Sequence, residues 1–181
     1  MAWPVLNPDQ GAALQELLQG DPSDRIVAIV GGAILDNSLM HALSLRLRAN
    51  TNTKIKILKV GGALGNLGPK IDMGYLLYMI DKQIREAMYS IEFVRNSFAH
   101  NLAVSFTSSD DKLKKAMKSL TLHQDRSHYM NPFTGKDSQE ADMEIGPVNS
   151  PRERFLVNLK ICLLHLMRDQ RMHRPWSNLL P

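Results

Sequence analysis

The sequence is poor in cysteine, in aromatic residues and in motifs for metal binding or covalent catalysis. Of its 181 residues one is cysteine, Cys162, and 6% are aromatic. A lone cysteine can form neither a disulfide framework nor a CxxC redox pair, and Cys162 stands in an apolar run, as small core residues do. The six histidines include no H-x-x-x-H pair, and no nucleophile motif surrounds a serine or the cysteine. We therefore expect no metal site and no cofactor.

Long apolar runs without charge are also missing. The first residues, M-A-W-P, lack the basic flank and the apolar core of a signal peptide. No uncharged stretch approaches the ~18 apolar residues of a membrane span. With 44% hydrophobic residues the chain can bury one ordinary core. We expect a single domain over residues 1–181, located in the cytoplasm and without a membrane partner.

The sequence has no strong excess of one charge. A net charge of +4 is mildly basic, which permits an RNA or DNA partner without requiring one. No pair of short helices around a glycine turn carries base-reading side chains, so a helix-turn-helix is not predicted. Two groups of basic residues are interpreted as solvated helix faces: Lys112, Lys114, Lys115 and Lys118, and then Arg168, Arg171, His173 and Arg174.

No stretch alternates apolar and polar residues as a strand does, whereas helical spacing and helix-start residues recur along the chain. The sequence therefore predicts an all-α bundle of about six to eight helices. Gly31 and Gly32 interrupt a long apolar helix, at a cost of ~2 kcal/mol in helix propensity, so we expect a neighbouring helix to cross closely there. Residues 121–150 are predicted to form a long, partly irregular loop, and residues 151–173 the last helix.

The stretch from Asp81 to His100 is the centre of the predicted fold. Its apolar residues recur at steps of three and four, as in an amphipathic helix, and Asp81 is a good N-cap. Arg95, Asn96 and His100 fall in the last two turns. Asn101 follows, and asparagine can close a helix in the left-handed conformation.

Arg95, Asn96 and His100 are the candidate functional residues. A histidine with a pKa near neutral can take the proton from a ribose 2′-hydroxyl, and an arginine can stabilise charge on the attacked phosphate, so the pattern fits metal-free RNA cleavage. A dimer partner would supply a second copy. The alternative is structural: His100 interacts with the helix dipole, and Arg95 pairs with an acid such as Asp36 or Asp72.

Four dispersed elements stand between residues 21 and 120: Ser23-Asp24-Arg25, Leu35-Asp36-x-x-Leu39, Gly62-x-Leu64-x-x-Leu67-Gly68-x-Lys70-Ile71-Asp72-x-x-Tyr75-x-Leu77 and Arg95-Asn96-x-Phe98-Ala99-His100. Together they resemble the mannitol operon repressor (MltR) family of bacterial all-α proteins. The resemblance implies a transcriptional regulator without an evident DNA-reading motif, and we expect it to act through contacts with a regulatory protein partner. The element around Arg95 is similar to that of HEPN proteins, helical domains that include dimeric ribonuclease toxins.

Two expectations about packing follow. Because Asp36 interrupts an apolar helix, we expect it to join Arg95, Asn96 and His100 in a polar cluster between the long second helix and the central helix. The last helix is apolar on nearly every side, so we expect it to be buried on more than one face, either by a second subunit in a homodimer or by the core of the monomer.

Overall fold

The computed structural model describes residues 8–47, 52–125 and 148–172, with side chains up to Met167 in the last segment. These residues form seven α-helices and no strand, which confirms the all-α prediction. Most of the predicted loop, residues 126–147, lies outside the described residues. The same holds for the side chains of the second basic group. The helices are α1 Pro8–Gln19, α2 Asp24–Arg46, α3 Asn52–Leu58, α4 Leu67–Leu76, α5 Lys82–His100, α6 Asp111–Ser119 and α7 Pro151–Met172, and a 3₁₀ turn spans Leu122–Asp125.

The helix starts follow from short polar side chains. The carboxylate of Asp81 accepts a hydrogen bond from the Ile84 amide at 2.8 Å, so this residue is the N-cap of α5, as predicted. Asp110 caps α6 in the same way. The cap of α2 is Ser23, whose side chain accepts a hydrogen bond from the Ile26 amide at 3.4 Å.

Helix α2 lies at the centre of the bundle and packs against both α5 and α7. The glycine pair lies where these helices meet. A Cβ atom on Gly31 would lie 2.9 Å from Leu159 Cδ2 of α7, and one on Gly32 would lie 2.8 Å from Arg95 Cβ of α5. The predicted close crossing is therefore confirmed, with one helix approaching each glycine.

The apolar character of α7 is explained by burial within the chain. Phe155, Leu159, Cys162 and Leu166 are fully buried in the core shared with α2 and α5. Burial by the monomer core therefore accounts for the pattern that also suggested a second subunit. The homodimer stays a prediction.

Helix α2 is long and apolar enough to cross a membrane, although Asp36 interrupts its apolar residues. An 18-residue window of α2 has a mean hydropathy of 1.6 with at most two charged residues. However, 56% of that window is buried inside the bundle, and the helix carries the contacts of the core. Its apolar character fits a core helix, which is consistent with a soluble protein.

Two details differ from the sequence predictions. Asn101, expected to close α5 in the left-handed region, has φ −127° and ψ 113° and is extended. The physical reason is that Arg25 donates hydrogen bonds to the carbonyl oxygens of Asn101 at 2.9 Å and Leu102 at 2.8 Å, so the chain leaves α5 in an open path. The 3₁₀ turn lies in the segment predicted as loop, where Asn158 Oδ1 accepts a hydrogen bond from the Leu122 amide.

We predict opposite effects for two glycine-to-alanine changes. Gly11→Ala, in α1 with no atom within 4 Å of the new Cβ, should raise stability by up to ~1 kcal/mol through helix propensity. Gly32→Ala should lower it by about 1–2 kcal/mol, because Arg95 Cβ is fixed to the α5 backbone and the two helices must separate. Thermal unfolding of both variants measures the difference. Equal stabilisation by both changes would contradict the close crossing.

Candidate functional site

The three candidate residues lie along the carboxyl-terminal half of α5. Asn96 and His100 are exposed and are separated by one helical turn, so they share a stripe on the surface. Arg95 is half-buried, with its aliphatic stem against Gly32. Among the described residues, neither Arg95 nor His100 has an ion-pair or hydrogen-bond partner for its side chain.

The acids that were expected to pair with Arg95 have other partners. Asp36 forms an ion pair with Lys70 at 2.6 Å, and Asp72 forms one with Arg85 at 2.7 Å. The helix packing explains these partners. Lys70 lies in the first turn of α4, which packs against α2, the helix of Asp36. Arg85 lies in the first turn of α5, which packs against α4, the helix of Asp72. Arg95, three turns further along α5, is left without either acid.

The pair of Lys70 and Asp36 is the most buried ion pair in the described part of the chain. Lys70 is only 3% exposed and its ammonium ion is held by Asp36 Oδ1. Removing one partner of such a pair leaves a buried charge, which costs ~3–5 kcal/mol in comparable cases. The two residues belong to two separate elements of the family resemblance, and the fold brings those elements into contact.

A second group surrounds Arg85 on the surface of α4 and α5. The guanidinium carbon lies 5.0 Å from the ring centre of Tyr75 and 5.4 Å from that of Tyr89, so it can interact with both aromatic faces. Hydrogen bonds from Arg85, and then from Tyr89, lower the pKa of Asp72 below its usual value. Two guanidinium nitrogens of Arg85 donate to the same carboxylate oxygen of Asp72, at 3.2 and 2.7 Å, and these bonds orient the Arg85 side chain.

Glu92 connects the candidate residues to this charged region. One of its carboxylate oxygens accepts a hydrogen bond from the Gly68 amide at 3.0 Å, at the start of α4. Burial raises the pKa of Glu92, while the Gly68 amide and the charge of Arg95 act in the opposite direction, and Asp36 and Asp72 contribute further to the increase. Arg95 and Asp36 therefore both act electrostatically on Glu92. The cluster of Asp36 with Arg95, Asn96 and His100 stays a prediction.

Sequence reasoning missed the role of Arg25. Its guanidinium donates to the carbonyl oxygens of Phe98, Asn101 and Leu102, the groups that the end of a helix leaves without partners. Its neighbour Asp24 accepts a hydrogen bond from the Phe106 amide at 3.1 Å. The signal was present in the run Ser23-Asp24-Arg25, but nothing local shows that its partners lie more than 70 residues away.

The last residues of α4 and the turn that follows it, residues 75–78, expose apolar side chains. Leu76 is 69% exposed and Tyr78 is 93% exposed. Tyr78 has a φ of 56°, and the Met79 amide donates to the Gly74 carbonyl, which is the hydrogen bond of a Schellman helix end. Glycine normally occupies this position because a bulky residue is strained there. A surface cavity of about 600 Å³ opens beside the turn, lined in part by Tyr75 and His165.

Metal and thiol chemistry receive no support from the described residues. In the described ranges there is no group of three or more His, Cys, Asp or Glu side chains that could hold a metal ion. Cys162 is fully buried, and burial raises the pKa of its thiol far above the usual value. A thiol in this state is a poor nucleophile, which agrees with its interpretation as a core residue.

Comparison of the chain with protein-family models, with curated proteins and with solved structures finds no match. The resemblance to the mannitol operon repressor family therefore stays a prediction.

The raised pKa of Glu92 predicts a pH-dependent effect of the change Glu92→Gln. A carboxyl whose pKa is higher in the folded than in the unfolded chain stabilises the fold below the unfolded pKa, and this contribution is lost as the pH rises through the folded pKa. Glutamine keeps the acceptor for the Gly68 amide but cannot ionise. The variant should therefore gain thermal stability relative to the wild type between pH 4 and pH 7.

Unfolding followed by circular dichroism at several pH values tests this. Asp72→Asn is the opposite control: because the Asp72 pKa is lowered, this variant should lose stability relative to the wild type as the pH rises from 3 to 7. The same pH trend in both variants would contradict the assignment.

Proposed function

We propose that this protein is a cytoplasmic regulator of transcription that acts by contact with a regulatory protein partner. The observation that carries the proposal is Tyr78, an almost fully exposed tyrosine in a backbone position that favours glycine. A non-glycine residue in the left-handed region costs of order 1–3 kcal/mol, and such strain is concentrated at functional sites. We therefore infer that the Tyr78 side chain has a function that offsets the cost of the strained backbone.

The surroundings of Tyr78 suit a protein surface. Tyrosine is enriched in the centres of interfaces because its ring buries a large area and its hydroxyl still forms hydrogen bonds. Leu76 and the cavity beside the turn add apolar surface for a partner side chain. In this proposal the partner inserts an apolar side chain beside Tyr78 and supplies the contacts to DNA.

The resemblance to a repressor family supports the same proposal. Its dispersed elements are in contact: Asp36 binds Lys70, and Arg25 binds the carbonyl oxygen of Phe98. These residues hold α2, α4 and α5 together, which is the role expected of a shared structural core. The surface that acts on the partner lies on α4 and the turn that follows it.

The change Tyr78→Gly separates function from stability. Glycine relieves the strained backbone, so thermal stability should rise by about 1 kcal/mol, while partner binding and transcriptional control should be lost. Transcripts are compared between cells with the wild-type gene, a deletion and the variant. Val60→Ser, at another 93%-exposed apolar residue, is the matched control and should behave as wild type.

Two results would contradict this proposal. A deletion that changes no transcript excludes a role in transcription. If the deletion changes transcripts but Tyr78→Gly does not, the regulator acts through a different surface. A photo-reactive amino acid at position 78, introduced in cells that otherwise carry the wild-type gene, cross-links to the partner and identifies it. Cross-linking to a second copy of the chain would indicate the homodimer.

A second candidate function, metal-independent endoribonuclease activity, is favoured by one observation. Arg95 was expected to pair with Asp36 or Asp72 if it were structural, and both acids pair with other cations. In the described part of the chain its guanidinium has no salt bridge, and Asn96 and His100 are exposed on the adjoining surface. These side chains are accessible to a phosphate and a ribose hydroxyl.

RNA cleavage by the purified protein tests this second candidate function. Cleavage of RNA should continue in EDTA and leave 2′,3′-cyclic phosphate ends, because the attacking group is the neighbouring ribose hydroxyl. His100→Ala should lower the rate by ~10²-fold or more, the usual contribution of a general base, with little change in thermal stability because the side chain is exposed. His41→Ala, at an exposed histidine of α2, should leave the rate unchanged. Wild-type protein without activity, or equal loss in both variants, would exclude this function.

A further inference from the structure

A surface cavity of about 240 Å³ lies between α6 and the start of α7. Three basic side chains line it: Lys114 and Lys118 from α6 and Arg154 from the first turn of α7. Its apolar part consists of Phe106, Met117 and Val148. No acidic side chain is among the described residues that line it.

The cations of this cavity have no partners within the described part of the chain. Lys114 and Lys118 are exposed and form no ion pair there. They are four residues apart on one helix, where two like charges repel each other and destabilise the helix. A bound anion would offset this repulsion.

Arg154 adds a third positive charge to the lining of the cavity. Its Nε atom is buried and has no hydrogen-bond partner among the described residues. Because this atom is inaccessible to solvent, an anion in the cavity acts on Arg154 through the charge of the guanidinium.

The helix end beside the cavity is already capped by a carboxylate. The amides of Asn149 and Ser150 donate to the carboxylate of Glu153, and the hydroxyl of Ser150 accepts from the Glu153 amide, which is a capping box. Glu153 therefore offsets the positive end of the helix dipole, and the positive charge at the cavity comes from its three basic side chains.

We propose that this cavity binds a phosphate group, as inorganic phosphate or as the end of a small phosphate monoester. A phosphate carries about −1.5 to −2 charges at pH 7 and several acceptor oxygens, which suits a cavity lined by three cations and no acid. The volume is below the 300–1,000 Å³ of typical small-molecule sites, so the ligand is smaller than a nucleotide. The carbon portion of a monoester lies against Phe106 and Met117. This site lies apart from the turn after α4, and the proposal does not depend on the regulatory function.

Isothermal titration with inorganic phosphate, and separately with propyl phosphate, whose carbon portion is apolar, at constant ionic strength tests the proposal. The wild type should bind both, the monoester more tightly because of the apolar contacts. The double change Lys114→Ala and Lys118→Ala should weaken binding at least tenfold. The control, Lys112→Ala and Lys115→Ala, removes the same charge from exposed positions of the same helix and should bind as the wild type does.

Three outcomes would overturn the proposal or part of it. Absence of binding up to 10 mM phosphate excludes the site. Equal weakening in the two double variants means that net charge, not this cavity, attracts the anion. Tighter binding of inorganic phosphate than of the monoester excludes the apolar contacts. Because the four lysines are exposed, thermal unfolding of the variants should match the wild type and confirm that they fold.

Discussion

The structure depends on the close approach of three helices at Gly31 and Gly32. Helix α2 has no side chains at these two positions, so α7 packs against Gly31 and α5 packs against Gly32 without an intervening Cβ atom. The gain in buried apolar contact offsets the low helix propensity of the pair, because Phe155 and Leu159 become part of the core. The same contact determines where Arg95 lies. Its stem fills the space over Gly32, and the residue as a whole is half-buried.

The ion pairs around this contact explain why some cations are free. Asp36 and Asp72 are paired with Lys70 and Arg85, the basic residues at the starts of α4 and α5. The chain has four more basic than acidic residues, so cations further from these helix starts stay without acids. Arg95 at one edge, and Lys114 with Lys118 at another, are such cations. Each lies at a site for which we infer a role with an anionic group.

The carboxyl ends of α5 and α4 are closed in different ways. The carboxyl end of α5 is closed by Arg25, from the first turn of α2, which leaves His100 exposed and Asn101 extended. The carboxyl end of α4 is closed by its own backbone, with Tyr78 in the strained position. One end is thus stabilised from a distance and gains no strain, while the other stores strain locally and presents an aromatic side chain.

The sequence alone determined the helices, because the signals for them are local. The capping by Asp81 and Asp110, the apolar spacing of α5 and the close crossing at Gly31 and Gly32 depend on neighbouring residues and on the preference of each residue type. The candidate residues Arg95, Asn96 and His100 were also selected by spacing along one helix. The tertiary structure decided which charges meet. Three examples involve residues 30 to 80 positions apart: the ion pair of Asp36 with Lys70, the hydrogen bonds of Arg25 to the end of α5, and the cavity that Arg154 shares with two lysines of α6. These arrangements depend on how the helices pack, and no local pattern encodes that packing.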